Sequence, residues 1–208
     1  MITIIDYGMG NTASIKNMIS KAGGKAQISA DPEKIMQAKA IILPGVGHFG
    51  RAMELIHEGG FRAIIDEKVK EKVPVLGICL GMQLLADSGT EDGNSRGLGW
   101  IAGNVLRLDA TGGRKIPHIG FNAVSIRNEN GGLLDGLDAS IDFYFVHSYH
   151  FVPHDAATVI GVCEYGAEIV AAVRKGNIWG VQFHPEKSQS NGLCLFRNFS
   201  NIPPAVDV

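Results

Sequence analysis

Apolar residues along this chain crowd into short uncharged runs. Residues 2–5 (ITII), 40–43 (AIIL) and 73–79 (VPVLGIC) are partly β-branched and are closed by aspartate, proline or glycine. Each is too short for a helix and reads as a strand buried on both faces. Between the first two, NTASIKNMISKAGG repeats Ile15, Met18, Ile19 and Ala22 at helical spacing, with Asn11 placed to cap the start and Gly23 to stop it. A second helical stretch follows the PGVG turn and covers roughly 50 to 71. Strand alternating with helix predicts a parallel sheet covered on both faces, an α/β fold. The second half changes character: GNVLRL, FNAVSI, DFYFVHSYHFV, TVIGVCEY, EIVAAVRK and IWGVQF are separated by short Gly, Asn or Asp turns, which predicts an antiparallel extension. GLCLFRNFS predicts a closing helix and NIPPAVDV a loose tail, so the expected organisation is one domain over 1–200 with a tail over 201–208.

Composition narrows the function. The chain has 208 residues, 45% of them hydrophobic and 19% charged, with a formal net charge of −2, so it offers no basic face for nucleic acid. No run approaches the roughly 18 to 20 apolar residues that span a bilayer, and no basic segment precedes the N-terminal apolar run. A cytoplasmic protein is expected. Cys79, Cys163 and Cys194 are widely spaced and odd in number, which points to neither a disulfide framework nor a thiolate zinc site.

The chemistry concentrates at Gly77-Ile78-Cys79-Leu80-Gly81, the G-x-nucleophile-x-G spacing of a nucleophile elbow. There a strand turns abruptly into a helix, the flanking positions must be small, and the helix N-terminus favours a thiolate. The competing reading is a small cysteine packed after a strand. A base is also required. Of seven histidines, His184 follows the run IWGVQF and continues as His184-Pro185-Glu186, where an extended backbone would point Glu186 the same way as the imidazole. Cysteine, histidine and carboxylate form the nucleophile, base and orienting group of acyl transfer. The rival pair is His147 and His150, an H-x-x-H that suggests metal binding but has no further ligand at suitable spacing. For an oxyanion, Gly45, Val46 and Gly47 in LPGVGHFG and the amide of Leu80 are candidate donors, although PGVG also reads as a plain strand-ending turn.

Taken together, PGVGHFG, GICLGMQLL, FYFVHSY and GVQFHPEKS resemble, in order and spacing, the class I triad-type glutamine amidotransferases. IIDYGMGN and PHIGFN narrow the resemblance to the glutaminase subunits of imidazole glycerol phosphate synthases, over nearly the whole chain. The resemblance implies a flavodoxin-like fold and no cofactor. It implies that Cys79 attacks the side-chain amide of glutamine, that His184 shuttles the proton and that Glu186 orients His184. It further implies that Gln83, Glu91, Ser148 and Tyr149 hold the amino-acid head. One peptide of the 45–47 segment is expected to reorient before its amide points at the oxyanion. The implied partner is a (β/α)8 barrel cyclase subunit, bound as a heterodimer through Asn11, Pro117, Ile119, Phe121, Tyr144 and Lys187, with no nucleic acid or membrane involved.

Phe121 and Ile119 depart from the tryptophan and methionine common in that group, on the face expected to meet the partner. Two other readings therefore stay open: a paralogous glutaminase subunit serving a surface-polysaccharide sugar amidotransferase, and an inactive regulatory module. The second usually lacks the cysteine or the histidine, and both are here. A stand-alone cysteine hydrolase sharing the elbow fits poorly with HPEKS and the Gln83 and Glu91 pair. Cys163, Cys194, Trp100 and Trp179 read as packing residues.

Overall fold

The structure, a computed structural model, describes residues 1–91, 93–110, 115–127, 131–138 and 140–203. The three uncharged runs become its central strands β1 (Ile2–Ile5), β3 (Ala40–Leu43) and β4 (Val75–Ile78), buried at every position. Helix α1 (Thr12–Lys21) begins where Asn11 accepts a hydrogen bond from the Ser14 amide. Two elements after it escape the apolar pattern. Strand β2 (Ala26–Ser29) is only half-buried at the sheet edge, and α2 (Pro32–Met36) is a five-residue helix capped by Asp31. The stretch expected as one helix is two, α3 (Phe49–Glu58) and α4 (Phe61–Lys70). They part at Gly60, whose φ of 69° suits glycine and interrupts the helical path.

After β4 come the one-turn helix α5 (Leu80–Gln83) and the strands β5 (Ser88–Gly89), β6 (Ser95–Arg96), β7 (Gly103–Arg107), β8 (His118–Ile126), β9 (Ser140–His147), β10 (Tyr149–Pro153), β11 (Val159–Glu164), β12 (Glu168–Lys175) and β13 (Ile178–Val181). Helix α6 (Gln189–Asn201) closes the chain, one residue into the expected tail, whose residues 204–208 lie outside the described ones. Among the described residues the main sheet runs β2-β1-β3-β4-β13-β12-β11-β8-β9. It is parallel from β2 to β13 and antiparallel from β13 to β9, the expected parallel core with an antiparallel extension. GNVLRL does not join it. Strand β7 belongs to a second sheet, β10-β7-β5-β6, and DFYFVHSYHFV breaks at Ser148 into β9 and β10, one in each sheet.

Alternation along the strands feeds two cores. Ile4, Ile42, Leu76 and Ile78 face α1 and α6, where Ile15, Ile19, Phe196 and Phe199 lie. Ile5, Ile41, Leu43 and Val75 face α3 and α4, with Phe49, Met53, Phe61 and Ile65. Strand β4 thus has a neighbour on each side and a helical layer on each face. Among the described residues no helix is long and apolar enough to cross a membrane.

One polar pair lies inside this framework. His118 and His147 face each other in the β8–β9 register, with Nδ1 of His118 3.0 Å from Nε2 of His147. The Tyr149 carbonyl can only accept, so His147 donates to it from Nδ1 at 2.9 Å and accepts at Nε2 from His118. His118 in turn accepts at Nε2 from Asn122 at 3.3 Å. Each ring is neutral in this scheme, and burial favours the same state, holding His118 down at about 4 and His147 at about 3.

Above pH 6.5 both histidines are neutral in folded and unfolded chain alike. Below it the unfolded chain takes up protons that the folded one refuses, so stability falls as pH drops. Urea unfolding between pH 7 and 4.5 is expected to show this decline, and His147→Gln to flatten it; an unchanged slope in the variant would place the protons elsewhere.

Candidate active site

Cys79 follows β4 directly, and its backbone is turned to φ 54° and ψ −109°. A side chain rarely occupies that region, and the turn holds because both ends are tied. The Cys79 amide donates to the Val181 carbonyl at 2.8 Å, and the Cys79 carbonyl accepts from the Met82 and Gln83 amides at 3.0 and 3.2 Å. The flanking glycines are required by contact. A Cβ at Gly77 would lie 2.5 Å from the Gly81 oxygen, and one at Gly81 would lie 1.9 Å from the Leu43 oxygen. The helix behind the sulfur is shorter than the sequence suggests, a single turn over Leu80–Gln83, which limits what its dipole contributes. Other groups must hold the thiol.

His184 lies three residues beyond the end of β13, which stops at Val181. The segment does not continue extended as expected. Pro185–Lys187 forms a 3-10 turn, and that turn swings the Glu186 carboxylate back under the imidazole, with Oε1 2.7 Å from Nδ1. Both side chains are almost fully buried. Burial alone would lower the His184 pKa, but the interactions with Cys79 and Glu186 outweigh it and raise the imidazole to about 9. Nε2 has no partner at strict hydrogen-bond geometry, nor has Oε2 of Glu186. The imidazole is thus favoured in its charged form and held from behind, with its outer nitrogen left for the sulfur and whatever enters beside it.

These groups open into a cavity of about 410 Å³ lined by Val46, Gly47, Cys79, Leu80, Gln83, Glu91, Pro117, Val146, His147, Ser148, Tyr149 and His184. The 45–47 segment packs onto the elbow: a Cβ at Gly45 would lie 2.7 Å from Leu80 Cβ, and Gly47 has φ 110°. Tyr7 braces it from β1, donating from its hydroxyl to the Pro44 carbonyl at 2.6 Å, and burial and the charge of Cys79 hold that phenol above its usual pKa. Glu91 is anchored at the wall, accepting from the Phe49 amide at 2.9 Å. Gln83 donates to the Tyr149 carbonyl at 2.8 Å.

The structure brings together the triad residues, most of the oxyanion segment and all of Gln83, Glu91, Ser148 and Tyr149. Two residues that sequence reasoning passed over belong with them, Tyr7 and Gln182. Gln182 is fully buried, and a lone amide two positions before His184 in an otherwise apolar run was the available signal. His147 turns toward His118 rather than His150, and the described residues contain no cluster of three or more metal-ligating side chains. Cys163 is buried in β11, where burial and neighbouring Glu164 push its thiol up to about 12, an inert packing residue. Away from the cavity, Ile119 and Phe121 are exposed on β8, Phe121 packs edge-on against Tyr144, and Lys187 sits 5.4 Å above the Tyr144 ring. Asn11 is exposed at the start of α1.

Comparison with known proteins covers the same ground. The family model for glutamine amidotransferase class-I matches residues 3–201. The imidazole glycerol phosphate synthase subunit HisH 2 of Methanococcus maripaludis is 49% identical over 96% of this chain and 98% of its own length. Subunit HisH of Rhodopirellula baltica is 42% identical over 99% and 100%. Among solved structures, a glutamine amidotransferase crystal structure superposes with a TM-score of 0.75 at 21% identity, covering 97% of this chain and 99% of that one. PurLQS from Thermotoga maritima gives 0.76 at 18%, covering 96% and 97%, a likeness of fold.

Proposed function

The chain belongs to the class I glutamine amidotransferase family, and on that premise we propose that it is the glutaminase subunit of an imidazole glycerol phosphate synthase. It hydrolyses glutamine and passes the ammonia to a cyclase subunit of histidine biosynthesis. The observation that carries the chemistry is the strained Cys79 in the cavity, beside an imidazole that Glu186 holds from behind at 2.7 Å.

The sulfur of Cys79 attacks the side-chain carbonyl carbon of glutamine. The oxyanion that forms takes hydrogen bonds from the Leu80 amide and from the 45–47 backbone. His184 gives its proton to the departing nitrogen, the C–N bond breaks and ammonia leaves. Water then adds to the thioester with His184 as base, the C–S bond breaks and glutamate is released. Glu91 faces the α-ammonium and the backbone near Ser148 and Tyr149 the α-carboxylate, while Gln83 fixes the wall between them. No cofactor has a part in these steps.

The partner is a (β/α)8 barrel cyclase, seated on Ile119, Phe121, Tyr144 and Lys187, with Asn11 and Pro117 at the rim. Exposed apolar side chains beside a cation stacked on an aromatic ring suit a protein interface. Enclosing ammonia between two subunits keeps it from protonating in bulk water, and coupling turnover to partner occupancy limits wasted glutamine. A cytoplasmic location suits that pathway.

Cys79→Ala is expected to lower glutamate release by about 10⁴-fold or more while leaving fold and partner binding intact. Turnover retained in that variant would remove the triad from the reaction. The acid for ammonia departure is His184 held at about 9, so kcat/KM should fall as pH rises through that value. Glu186→Gln removes one cause of the raised pKa and should move the alkaline limb to lower pH. Mixing the chain with the cyclase and its ribonucleotide ligand should stimulate turnover, and Phe121→Glu should weaken the complex by about 10- to 100-fold in calorimetry. No stimulation would direct the search to a sugar amidotransferase partner.

A further inference from the structure

Gln182 is 0% exposed and its side chain bridges two groups of the site. Nε2 lies 3.7 Å from the Cys79 sulfur, and Oε1 lies 3.1 Å from Nε2 of Gln83. The direction of this amide is determined rather than chosen. The Tyr149 carbonyl only accepts, so Gln83 must present its NH₂ group there, at 2.8 Å. The second hydrogen of that NH₂ group then points at Gln182, which must offer its carbonyl oxygen in return. What remains of Gln182 is its own NH₂ group, aimed at the sulfur. The Gln182 backbone amide donates to the Ala171 carbonyl at 2.8 Å, which fixes the strand position from which the side chain projects.

We propose that Gln182 is a further catalytic residue: its amide N–H donates to the Cys79 sulfur and stabilises it as a thiolate, with Gln83 as the positioning residue that aims it. The inference rests on the glutaminase reading for its role in turnover, although the contact itself does not. It answers the question left by the one-turn helix, whose dipole is too short to hold the thiolate alone. A donor at this place acts twice. It favours the sulfur that attacks the glutamine carbonyl, and later the sulfur that leaves with the bonding pair when water cleaves the thioester. In the intervening thioester the sulfur is neutral and the donor stabilises it least, so the contact favours departure of the thiolate when water has added.

The groups facing the sulfur from other elements are His184 with Glu186 behind it, Tyr7 after β1 and Glu91 across the cavity. Gln182→Leu leaves all of them in place. The test is alkylation of Cys79 by iodoacetamide as a function of pH, in a Cys163→Ser, Cys194→Ser background so that one thiol is read. Removing a donor to a charged acceptor is expected to raise the midpoint by about one pH unit, a roughly tenfold slower reaction below it. If Leu does not fold, Gln182→Glu keeps the size and the acceptor for Gln83 but turns an oxygen to the sulfur; it should raise the midpoint further. A midpoint unchanged within about 0.3 unit in a folded variant overturns the proposal. Turnover with the cyclase separates the two readings. A shifted midpoint in a chain that never hydrolyses glutamine keeps the Gln182 contact and removes the glutaminase assignment, whereas an unshifted midpoint in an active enzyme does the reverse.

Discussion

The backbone of Cys79 is the constraint around which the site is arranged. Its positive φ costs about 1 to 3 kcal/mol and persists only because the surroundings over-determine it. Strand β4 is hydrogen-bonded to β3 on one side and β13 on the other, and the Cys79 amide extends the second ladder by one more bond to Val181. Gly77 and Gly81 allow the chain to double back within contact distance of the Leu43 carbonyl. The same crowding draws the 45–47 segment onto Leu80, so Cys79 and the 45–47 backbone are set by one packing event. A residue larger than glycine at either flank would move both at once.

Polar groups in the site form a sequence of fixed polarity. From Asn122 through His118 and His147 to the Tyr149 carbonyl, then from that carbonyl through Gln83 and Gln182 to the sulfur, each bond has a defined donor and acceptor. Buried amides and imidazoles are costly unless so paired, and once paired they admit few alternative arrangements. Among the described residues three buried side-chain atoms are left without a partner: Nε2 of His184 beside the sulfur, Oε2 of Glu186 behind the imidazole, and Nδ1 of His150. Of these only Nε2 of His184 faces the cavity beside Cys79, where an entering group can supply the partner.

Legibility in the sequence followed burial. The ITII, AIIL and VPVLGIC runs are apolar because they are buried on both faces, and periodicity alone identifies them. AQIS at an edge and the five-residue α2 have too little apolar character to stand out, and the break at Gly59 and Gly60 is a backbone event within an unbroken helical pattern. The assignment of GNVLRL to a second sheet is a long-range fact that no local pattern carries. At the site, Cys79 and His184 were legible through spacing and family resemblance together. The path of Glu186 was not, because Pro185 starts a turn where an extended strand was expected. Gln182 was hidden by the same logic that makes it useful: one amide in an apolar run reads as an exception until its two partners, 99 and 103 residues away, are seen.

Strands β8 and β9 connect the outer face to the cavity. Outward they carry Ile119, Phe121 and Tyr144; inward, His118 and His147, the latter on the cavity wall. Tyr144 goes further, since its carbonyl accepts from the His184 amide at 2.8 Å and its amide donates to Ser188 Oγ at 3.0 Å, whose hydroxyl donates to the His184 carbonyl at 2.7 Å. The backbone that carries Tyr144 on the outer face is therefore the backbone that suspends His184. Any shift of this stretch of β9 would move the His184 backbone with it, since the two are joined by three hydrogen bonds through Tyr144 and Ser188. One residue thus joins the exposed face of the strand pair to the segment that carries His184.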